Sequence, residues 1–321
     1  MKIGITGGAG FIGGYVAEVA LERGHDVVIF DSSGRVAADS NPNTLYAKNV
    51  ERRLGDVRDQ TAVTELAAHV DGIIHLAACL GTQETIQNPR PAAETNIVGG
   101  LNFLEACTQY GIPGVYIGVG NWWMDNTYSI SKTTVERFVR MFNENRGAKV
   151  NIVRLVNAYG PRQSVAPPFG PAKVRKITPS FVCRALTGNP IEVYGDGSQV
   201  SDMVYVRDGA EALVRSLEAA AEGVVFDRPV EVGSVRPVTV GQVAAYVREL
   251  VAHKFGTDQV PITFLPMRPG ETPGTPVVAD TSTLEFVGMD PADLVQLGPG
   301  LEATIDWYAQ HWLPGYQARQ A

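Results

Sequence analysis

The stretch that decides the fold is KIGITGGAGFIG, residues 2–13. Its apolar start, Lys2–Thr6, predicts a buried strand, and a helical stretch follows to about residue 23. Between them, residues 8–13 fit the spacing G-x-G-x-x-G, with Gly7 added in front. Glycines at this spacing allow a tight turn and bring backbone N–H groups close to a pyrophosphate, beside a helix N-terminus that favours negative charge. The stretch therefore predicts a dinucleotide-binding turn.

A second apolar run, Asp26–Asp31, ends on a carboxylate shortly after the glycines. Asp31 can accept hydrogen bonds from both hydroxyls of an adenosine ribose and would repel a 2′-phosphate. Arg35, which follows closely, would instead attract such a phosphate. Because Asp31 and the glycine spacing agree, we expect NAD rather than NADP as the cofactor.

The rest of the first half alternates strand-like and helix-like runs. Strands are predicted at residues 72–76, 114–118 and 150–156, and helices near residues 59–69, 92–110 and 128–146. Strands that alternate with helices predict an α/β fold with a doubly wound parallel sheet of the Rossmann-like kind. Strands that are apolar almost throughout fit burial on both faces of that sheet.

The character of the chain changes after Asn157. Residues 159–179 contain five prolines and predict a long loop. Shorter elements follow, with a strand at Ile191–Tyr194 and helices near residues 179–188, 208–221, 239–253 and 300–312. We expect a cofactor domain of residues 1–157, to which residues 202–222 return, and a smaller substrate-binding domain of residues 158–201 and 223–321.

Composition excludes several classes of protein. The 321 residues are 45% apolar and 19% charged, which is typical of a globular chain. A net charge of −7 argues against nucleic acid or an anionic membrane as a partner. No run approaches the roughly 20 apolar residues of a membrane helix, and the first residues offer no signal-peptide core. Cys79, Cys107 and Cys183 fit neither a disulfide framework nor a metal site, so we expect a cytoplasmic protein without a metal.

Tyr128 and Lys132, in the run YSISK, form the second pattern that indicates chemistry. Their spacing of four places both side chains on one face of a predicted helix. An adjacent ammonium favours the phenolate and lowers the pKa of a phenol. A phenolate beside a nicotinamide can take the proton of an alcohol while hydride leaves the carbon, and the lysine can also hold the nicotinamide ribose.

Together these motifs resemble the extended short-chain dehydrogenase/reductases, the NAD-dependent epimerase/dehydratase family that acts on nucleotide sugars. The resemblance covers nearly the whole chain, since HLAA at residues 75–78, RLVNAYGP at residues 154–161 and RPGE at residues 268–271 follow in family order. It implies a cofactor site of Gly7, Gly10, Phe11, Ile12, Gly13, Asp31, Ser32, Asp56, Val57, Leu76, Ala77, Ala78, Asn96, Tyr128 and Lys132. It also implies a UDP-sugar site of Asn157, Glu192, Tyr194, Arg268 and Glu271.

The chain departs from the family pattern in two places. Relatives place a Ser or Thr after the fifth strand to hydrogen-bond the reacting hydroxyl, whereas this chain has Gly-Val-Gly at residues 118–120, with Met124 in the shortened loop. Many relatives carry a diphosphate-binding arginine where this chain has Ser201. Lys173, Arg175 or Lys176 could supply that charge, or could belong to a solvated basic loop.

These departures favour a dehydratase over a plain epimerase. Elimination of water needs a base near C5 and an acid near O6 of the sugar, for which Cys79, Glu84 and Asp125 are candidates. Cys79 could instead be a buried small residue, Glu84 a solvated carboxylate and Asp125 a helix cap.

The tryptophan-methionine loop, the missing hydroxyl and Cys79 look most like the 5,6-dehydratase branch of the family, which acts on UDP-N-acetylglucosamine in tunicamycin biosynthesis. That resemblance implies oxidation at C4, loss of water across C5–C6 and return of hydride to C4. The alternatives are a UDP-sugar 4-epimerase and a non-catalytic NAD-binding protein.

The resemblance also implies a homodimer. In relatives the helices that correspond to residues 92–110 and 128–146 pair across a two-fold axis as a four-helix bundle. Apolar side chains on both sides of the second helix fit one face turned to the sheet and another turned to a partner. Ile130 and Met141 lie opposite Phe138 and Phe142 in this pattern.

Overall fold

A seven-stranded parallel sheet forms the centre of the molecule. The computed structural model describes residues 1–33, 50–271 and 276–320. In spatial order the strands are β3 (Val50–Leu54), β2 (Asp26–Asp31), β1 (Lys2–Thr6), β4 (Gly72–His75), β5 (Gly114–Ile117), β6 (Val150–Leu155) and β9 (Val230–Val232). This order confirms the predicted Rossmann-like α/β fold. It reverses between β1 and β4, and ligands of such sheets bind outside the carboxyl ends of the strands at that point.

Helices cover both faces of the sheet. One face carries α1 (Phe11–Glu22) and α8 (Val206–Ala221), and the other carries α2 (Gln60–Ala67), α5 (Gly99–Tyr110) and α6 (Thr127–Arg146). Each face has its own apolar cluster, and strand residues such as Ile5 and Ile73 have no exposed surface. Burial on both faces explains the continuous apolar runs of the sequence.

The helix predicted at residues 92–110 begins earlier and is irregular. Short helices α3 (Thr82–Gln87) and α4 (Pro89–Ala93) lead into a π-helical turn at Glu94–Val98 and then into α5. The edge strand β3, which carries charges, was not predicted, because the sequence VERRL lacks the apolar run of a central strand.

A smaller region covers the carboxyl edge of the sheet. It contains α7 (Ile177–Leu186), α9 (Val240–Phe255), α10 (Leu297–Trp307), a π-helical turn (Tyr308–Trp312) and α11 (Leu313–Ala318). Two small sheets join them, β7 (Ile191–Tyr194) with β11 (Ile262–Leu265), and β8 (Val200–Ser201) with β10 (Val238–Thr239). A third apolar cluster fills this region.

Two boundaries differ from the sequence-based division. β9 pairs with β6, and the 3-10 helix Thr281–Val287 packs in the apolar cluster of the main sheet, although residues 223–321 were expected in the smaller domain. The predicted loop of residues 159–179 ends early, since α7 begins at Ile177 and holds Pro179 in its first turn, where no helical hydrogen bond is lost. No helix of the described ranges is long and apolar enough to cross a membrane.

Candidate active site

The glycine turn lies between β1 and α1, and its geometry requires glycine. Gly7 has a φ of +70°, and a Cβ there would lie 2.8 Å from the backbone nitrogen of Ala77. A Cβ on Gly13 would lie 2.5 Å from the carbonyl oxygen of Gly7. The turn is closed by a 3.0 Å hydrogen bond from the Gly10 N–H to the Gly7 carbonyl. The first-turn N–H groups of α1 have no helical partner and remain available to an anion.

Asp31 ties the end of β2 to this turn. Its Oδ2 accepts a hydrogen bond from the Ala9 N–H at 3.1 Å, and its Oδ1 accepts from the N–H and the hydroxyl of Ser33 at 2.9 and 2.7 Å. A carboxylate offers about four acceptor positions, so one is left for a ribose hydroxyl. Arg35, the residue that would favour NADP, lies outside the described residues.

A cavity of about 830 Å³ runs over the glycine turn. Most of the residues that the sequence assigned to the cofactor line it, namely Gly7, Gly10, Phe11, Asp31, Ser32, Asp56, Val57, Leu76, Ala77 and Ala78. Asp56 holds the cavity residue Arg58 through hydrogen bonds of 2.6 to 3.0 Å. The shape, the free N–H groups and Asp31 fit NAD.

Five of the assigned residues do not line this cavity: Ile12, Gly13, Asn96, Tyr128 and Lys132. Ile12 and Gly13 lie within the first turn of α1. Asn96 is 1% exposed and uses its amide internally. Its Oδ1 accepts from the Cys79 N–H at 2.7 Å, and its Nδ2 donates to the Cys79 carbonyl and to the Ser131 hydroxyl. In the structure Asn96 holds Cys79 and Ser131 in place, and its contact with the cofactor stays a prediction.

The same hydrogen bonds connect the cofactor cavity to Tyr128. Ser131 donates to the carbonyl of Tyr128 at 3.0 Å, and Asn96 joins Ser131 to Cys79, which directly follows the cavity residue Ala78. The start of α6 is thereby held at the end of β4, where Tyr128 and the cofactor edge of the sheet come together.

Asn126, rather than Asp125, caps the helix that carries Tyr128. The Asn126 side chain accepts a hydrogen bond from the Ser129 N–H at 3.0 Å and is buried, whereas Asp125 is exposed. Asp125, which the sequence offered as an alternative cap, does not cap the helix, because the helix begins at Thr127 and the residue directly before its first turn provides the cap.

Lys132 is buried beside Tyr116. Its Nζ lies 4.0 Å from the centre of the Tyr116 ring, and the side chain is 1% exposed. Burial lowers the pKa of Lys132 to about 7, an effect that Glu136 partly opposes. Burial, and then the charge of Lys132, lower the pKa of His75 to about 3, so His75 is neutral. An ammonium so poorly solvated readily exchanges its proton near neutral pH.

The pKa of Tyr128 differs from the expectation. Burial raises the pKa of Tyr128 to about 12, although Lys132 was expected to lower it. Desolvation dominates because the lysine charge lies over Tyr116. In this state the Tyr128 phenol keeps its proton and can donate a hydrogen bond to an alcohol or carbonyl oxygen.

The stretch after β5 has no room for the missing hydroxyl. A Cβ on Gly118 would lie 2.2 Å from Glu136 Oε1, and one on Gly120 would lie 2.6 Å from Val156 Cγ2. Glu136 is buried against Arg154, with an ion pair of 2.5 Å. A Ser or Thr at either position would require this packing to change.

Three further candidates surround this stretch. Met124 is buried, and its Sδ accepts from the Asn121 amide at 3.2 Å. Glu84, in the first turn of α3, is exposed, and its Oε2 occupies the space over Gly81. Burial lowers the pKa of Lys176, which Glu84 opposes, so this lysine lies within electrostatic reach of the Glu84 carboxylate. Cys79 is half-buried.

A charged cleft lies in the smaller region around Tyr194. Arg175 donates to the Tyr194 hydroxyl at 2.9 Å and to Glu192 at 3.0 Å. Arg268 lies 5.1 Å from the Tyr194 ring centre and pairs with Glu271. Four of the five residues assigned to the substrate are thus brought together, and an aromatic ring beside two guanidinium groups can hold a base and a diphosphate.

Asn157, the fifth, follows β6 on the main sheet, with a positive φ of 42°. Its Nδ2 donates to the Asp202 carbonyl at 3.1 Å. Sequence reasoning missed Arg58, Gln163 and the C-terminal residues of the cofactor cavity, and it left Arg175 as one of three alternatives. Within the described ranges, no group of three His, Cys, Asp or Glu side chains is placed to hold a metal ion.

Comparison with known proteins agrees with this geometry. The sequence profile of the NAD dependent epimerase/dehydratase family matches residues 3–233. A putative UDP-glucose 4-epimerase of Methanocaldococcus jannaschii is 27% identical over 94% of this chain and 97% of its own. A dTDP-glucose 4,6-dehydratase of Xanthomonas campestris is 29% identical over 97% and 94%.

The solved structures include a relative with bound cofactor. A UDP-glucose 4-epimerase of Thermus thermophilus, in complex with NAD, has a TM-score of 0.80 and 28% identity, covering 96% of this chain and 99% of that one. The family profile spans most of the chain and includes the glycine turn, the Tyr128–Lys132 pair and the sheet that carries them. This chain therefore belongs to the NAD-dependent epimerase/dehydratase family of enzymes that act on nucleotide sugars.

Proposed function

We propose that this enzyme is a 5,6-dehydratase of UDP-N-acetylglucosamine, of the tunicamycin-pathway kind, which uses tightly bound NAD. The observation that carries the proposal is the stretch after β5. There Gly118 and Gly120 replace the hydroxyl of related enzymes, and Glu136 and Val156 occupy the space beside them, while Tyr128 and Lys132 are retained. The Tyr–Lys pair is kept while the hydroxyl that normally assists it is missing, which favours a reaction other than plain epimerisation.

In this proposal Tyr128 first gives up its own proton, which Lys132 passes onward, and the resulting phenolate takes the proton of the C4 hydroxyl. The positive charge of an oxidised nicotinamide would favour this phenolate, and Lys132 would also hold the nicotinamide ribose. NAD, when bound, would supply the acceptor for the C4 hydride and the donor for its return. The pKa of Lys132, near 7, suits a group that gains and loses a proton during each cycle. The site performs no net oxidation, because the hydride leaves C4 and comes back to C4.

Two further groups are needed once C4 is a ketone. We assign the removal of the C5 proton and the protonation of the departing C6 hydroxyl to Glu84 and Cys79, with Met124 filling the space between loop and sugar. The C5–H bond and the C6–O bond break, a C5=C6 bond forms, and one water leaves. Asp125 is exposed and remains an alternative for one of these transfers.

The substrate nucleotide is assigned to the cleft around Tyr194. The uracil base lies at Tyr194 and the backbone of Glu192, and the diphosphate is held by Arg268, with Asn157 and Glu271 at the ribose end. Arg175 already reaches the Tyr194 hydroxyl, so it is the best placed substitute for the arginine that the chain lacks at Ser201.

The decisive test is the mass and the proton spectrum of the product from UDP-N-acetylglucosamine. We expect a product lighter by one water, with a vinyl proton at C6 and an unchanged configuration at C4. An unchanged mass with an inverted C4 would establish the 4-epimerase, the alternative that the whole-chain similarity favours. Binding of NAD without turnover of any nucleotide sugar would favour a non-catalytic protein.

Single variants then separate the two proton transfers. With C5-deuterated substrate, Glu84→Gln and Cys79→Ala should each abolish loss of water. Only the variant that lacks the acid should still wash deuterium out of C5, because proton removal precedes departure of the hydroxyl. Retention of full activity in both variants would contradict the assignment.

We also propose a homodimer through α5 and α6. On α6, Ile130 is 53% exposed and Met141 is 37% exposed, and Val98, in the π-helical turn directly before α5, is 42% exposed. These apolar side chains are uncovered in the single chain. Light scattering at micromolar concentration should give twice the chain mass, and Ile130→Asp should shift it to the single-chain mass. A monomeric wild type would refute the dimer.

A further inference from the structure

The cofactor cavity has a second wall, opposite the glycine turn, that no family motif identifies. It consists of the loop after β6 and of the C-terminal helices. The lining side chains on this side are Arg162, Gln163, Ser164, Val165, Phe169, Trp312 and Arg319. They line the same cavity as Phe11 and Gly14 of α1, the helix whose N-terminal turn attracts a pyrophosphate.

This wall is held rigidly to the main sheet. Arg162 has an ion pair of 2.6 Å with Glu18 and lies 3.9 Å from the centre of the Tyr15 ring, and both partners are on α1. The Tyr308 hydroxyl donates to the carbonyl of Gln163. Trp312 stacks on Tyr316 with ring centres 4.9 Å apart. The geometry is therefore set before any ligand binds, which lowers the entropic cost of binding.

Gln163 carries an unpaired buried acceptor in this wall. Its side chain is 7% exposed, and its Nε2 donates to the Ala158 carbonyl at 3.1 Å, which fixes the orientation of the amide. Within the described ranges, no donor reaches its Oε1. A buried carbonyl oxygen without a partner is costly, so a ligand hydroxyl is its natural donor.

Arg319 carries the available positive charge. It is exposed at the rim of the cavity, and no carboxylate of the described residues forms an ion pair with it. The other arginines of the cavity differ, since Arg162 is paired with Glu18 and Arg58 with Asp56. A pyrophosphate carries charge that the uncharged N–H groups of the glycine turn do not neutralise.

We propose that Gln163 and Arg319 complete the NAD site from the side opposite the glycine turn. Arg319 binds the pyrophosphate, and Gln163 accepts a hydrogen bond from a ribose hydroxyl. The C-terminal segment thereby retains the cofactor. This inference rests on NAD binding and not on the reaction assigned above, so it stands or falls separately.

The test measures the affinity of the cofactor-free protein for NAD, ADP-ribose and adenosine by calorimetry. Arg319→Ala should weaken the binding of NAD and of ADP-ribose by about tenfold and leave the affinity for adenosine unchanged, because only the first two ligands carry a pyrophosphate. Arg319→Lys should recover part of the loss. Added salt should narrow the gap between wild type and Arg319→Ala. Arg236→Ala, an exposed arginine away from the cavity, is the matched control.

Gln163→Leu should weaken the binding of NAD by roughly threefold to tenfold. Gln163→Glu should weaken it further, because the new carboxylate would repel the negatively charged pyrophosphate. Thermal unfolding of each variant without ligand checks that the wall stays folded. Wild-type affinity for NAD in the Arg319 and Gln163 variants would overturn the proposal. An equal loss for adenosine with Arg319→Ala would also overturn it, since the pyrophosphate would then not be what Arg319 binds.

Discussion

The cofactor cavity and the cleft around Tyr194 present their polar groups in different ways. Over the glycine turn the ligand meets the backbone N–H groups of one short turn and the carboxylate of Asp31, at the end of the next strand. Around Tyr194 it meets long charged side chains that are brought together from β7, the loop before α7 and the loop after β11. The first site depends on local backbone geometry, whereas the second depends on tertiary packing.

Tyr128 is the residue that we propose to exchange a proton with the substrate, and its replacement should have the largest effect. Tyr128→Phe removes the hydroxyl that exchanges a proton with the sugar, so we expect turnover to fall by about 10³-fold. Affinity for NAD and for the nucleotide sugar should change little. Tyr110→Phe, at an exposed position on α5, is the control. A loss of NAD affinity as large as the loss of turnover would show that the Tyr128 hydroxyl acts by binding the cofactor, not by exchanging a proton with the sugar.

Burial of the Lys132 ammonium is expected to lower the free energy of unfolding, although the side chain is needed for turnover. Its pKa is about 7 in the folded protein and about 10.5 when unfolded. Below pH 7 both states are charged, and the folded state bears the full cost of burial. Between pH 7 and 10.5 only the unfolded state holds the proton, so the wild type becomes more stable as pH rises.

Lys132→Met should therefore raise the free energy of unfolding at pH 6, by an amount on the order of 3 kcal/mol. The gain should shrink toward pH 10, while turnover is lost. Urea unfolding at both pH values measures this, with exposed Lys149→Met as the control. A less stable variant at pH 6 would show that the contact with Tyr116 outweighs desolvation.

Arg268 should affect the substrate site alone. Arg268→Met removes a guanidinium that pairs with Glu271 beside Tyr194, and we expect KM for the nucleotide sugar to rise by about tenfold or more. The dissociation constant of NAD should stay the same, because Arg268 does not line the cofactor cavity. Steady-state kinetics and calorimetry give the two values. A change in NAD affinity would mean that the two sites are coupled.

Asn126 should give the smallest effect. Asn126→Ala removes the cap of α6 and should lower the free energy of unfolding by about 1 kcal/mol. Asp125→Ala should leave stability unchanged, whatever it does to turnover. Chemical unfolding of the two variants compares the two neighbouring positions directly. A larger loss of stability in Asp125→Ala than in Asn126→Ala would instead make Asp125 the cap.

The residues that sequence predicted well are those whose role is local. The glycine spacing, the carboxylate at the end of β2 and the YxxxK spacing each describe one turn or one helix face, and the fold follows from alternating apolar runs. The role of Asn96 in holding Cys79 and Ser131 could not be predicted, because these hydrogen bonds join residues that are 17 and 35 positions apart in the chain.

By itself, the sequence determined a parallel α/β sheet with a dinucleotide turn and a Tyr–Lys pair on one helix. The tertiary structure decided the protonation of that pair, because burial beside Tyr116 sets the pKa of Lys132 and of Tyr128 against the simple expectation. It also decided that a side chain at position 118 or 120 would meet Glu136 or Val156, and that Gln163 and Arg319 line the same cavity as the glycine turn. Burial and contacts between distant segments depend on the packed fold, and residue spacing along the chain does not specify them.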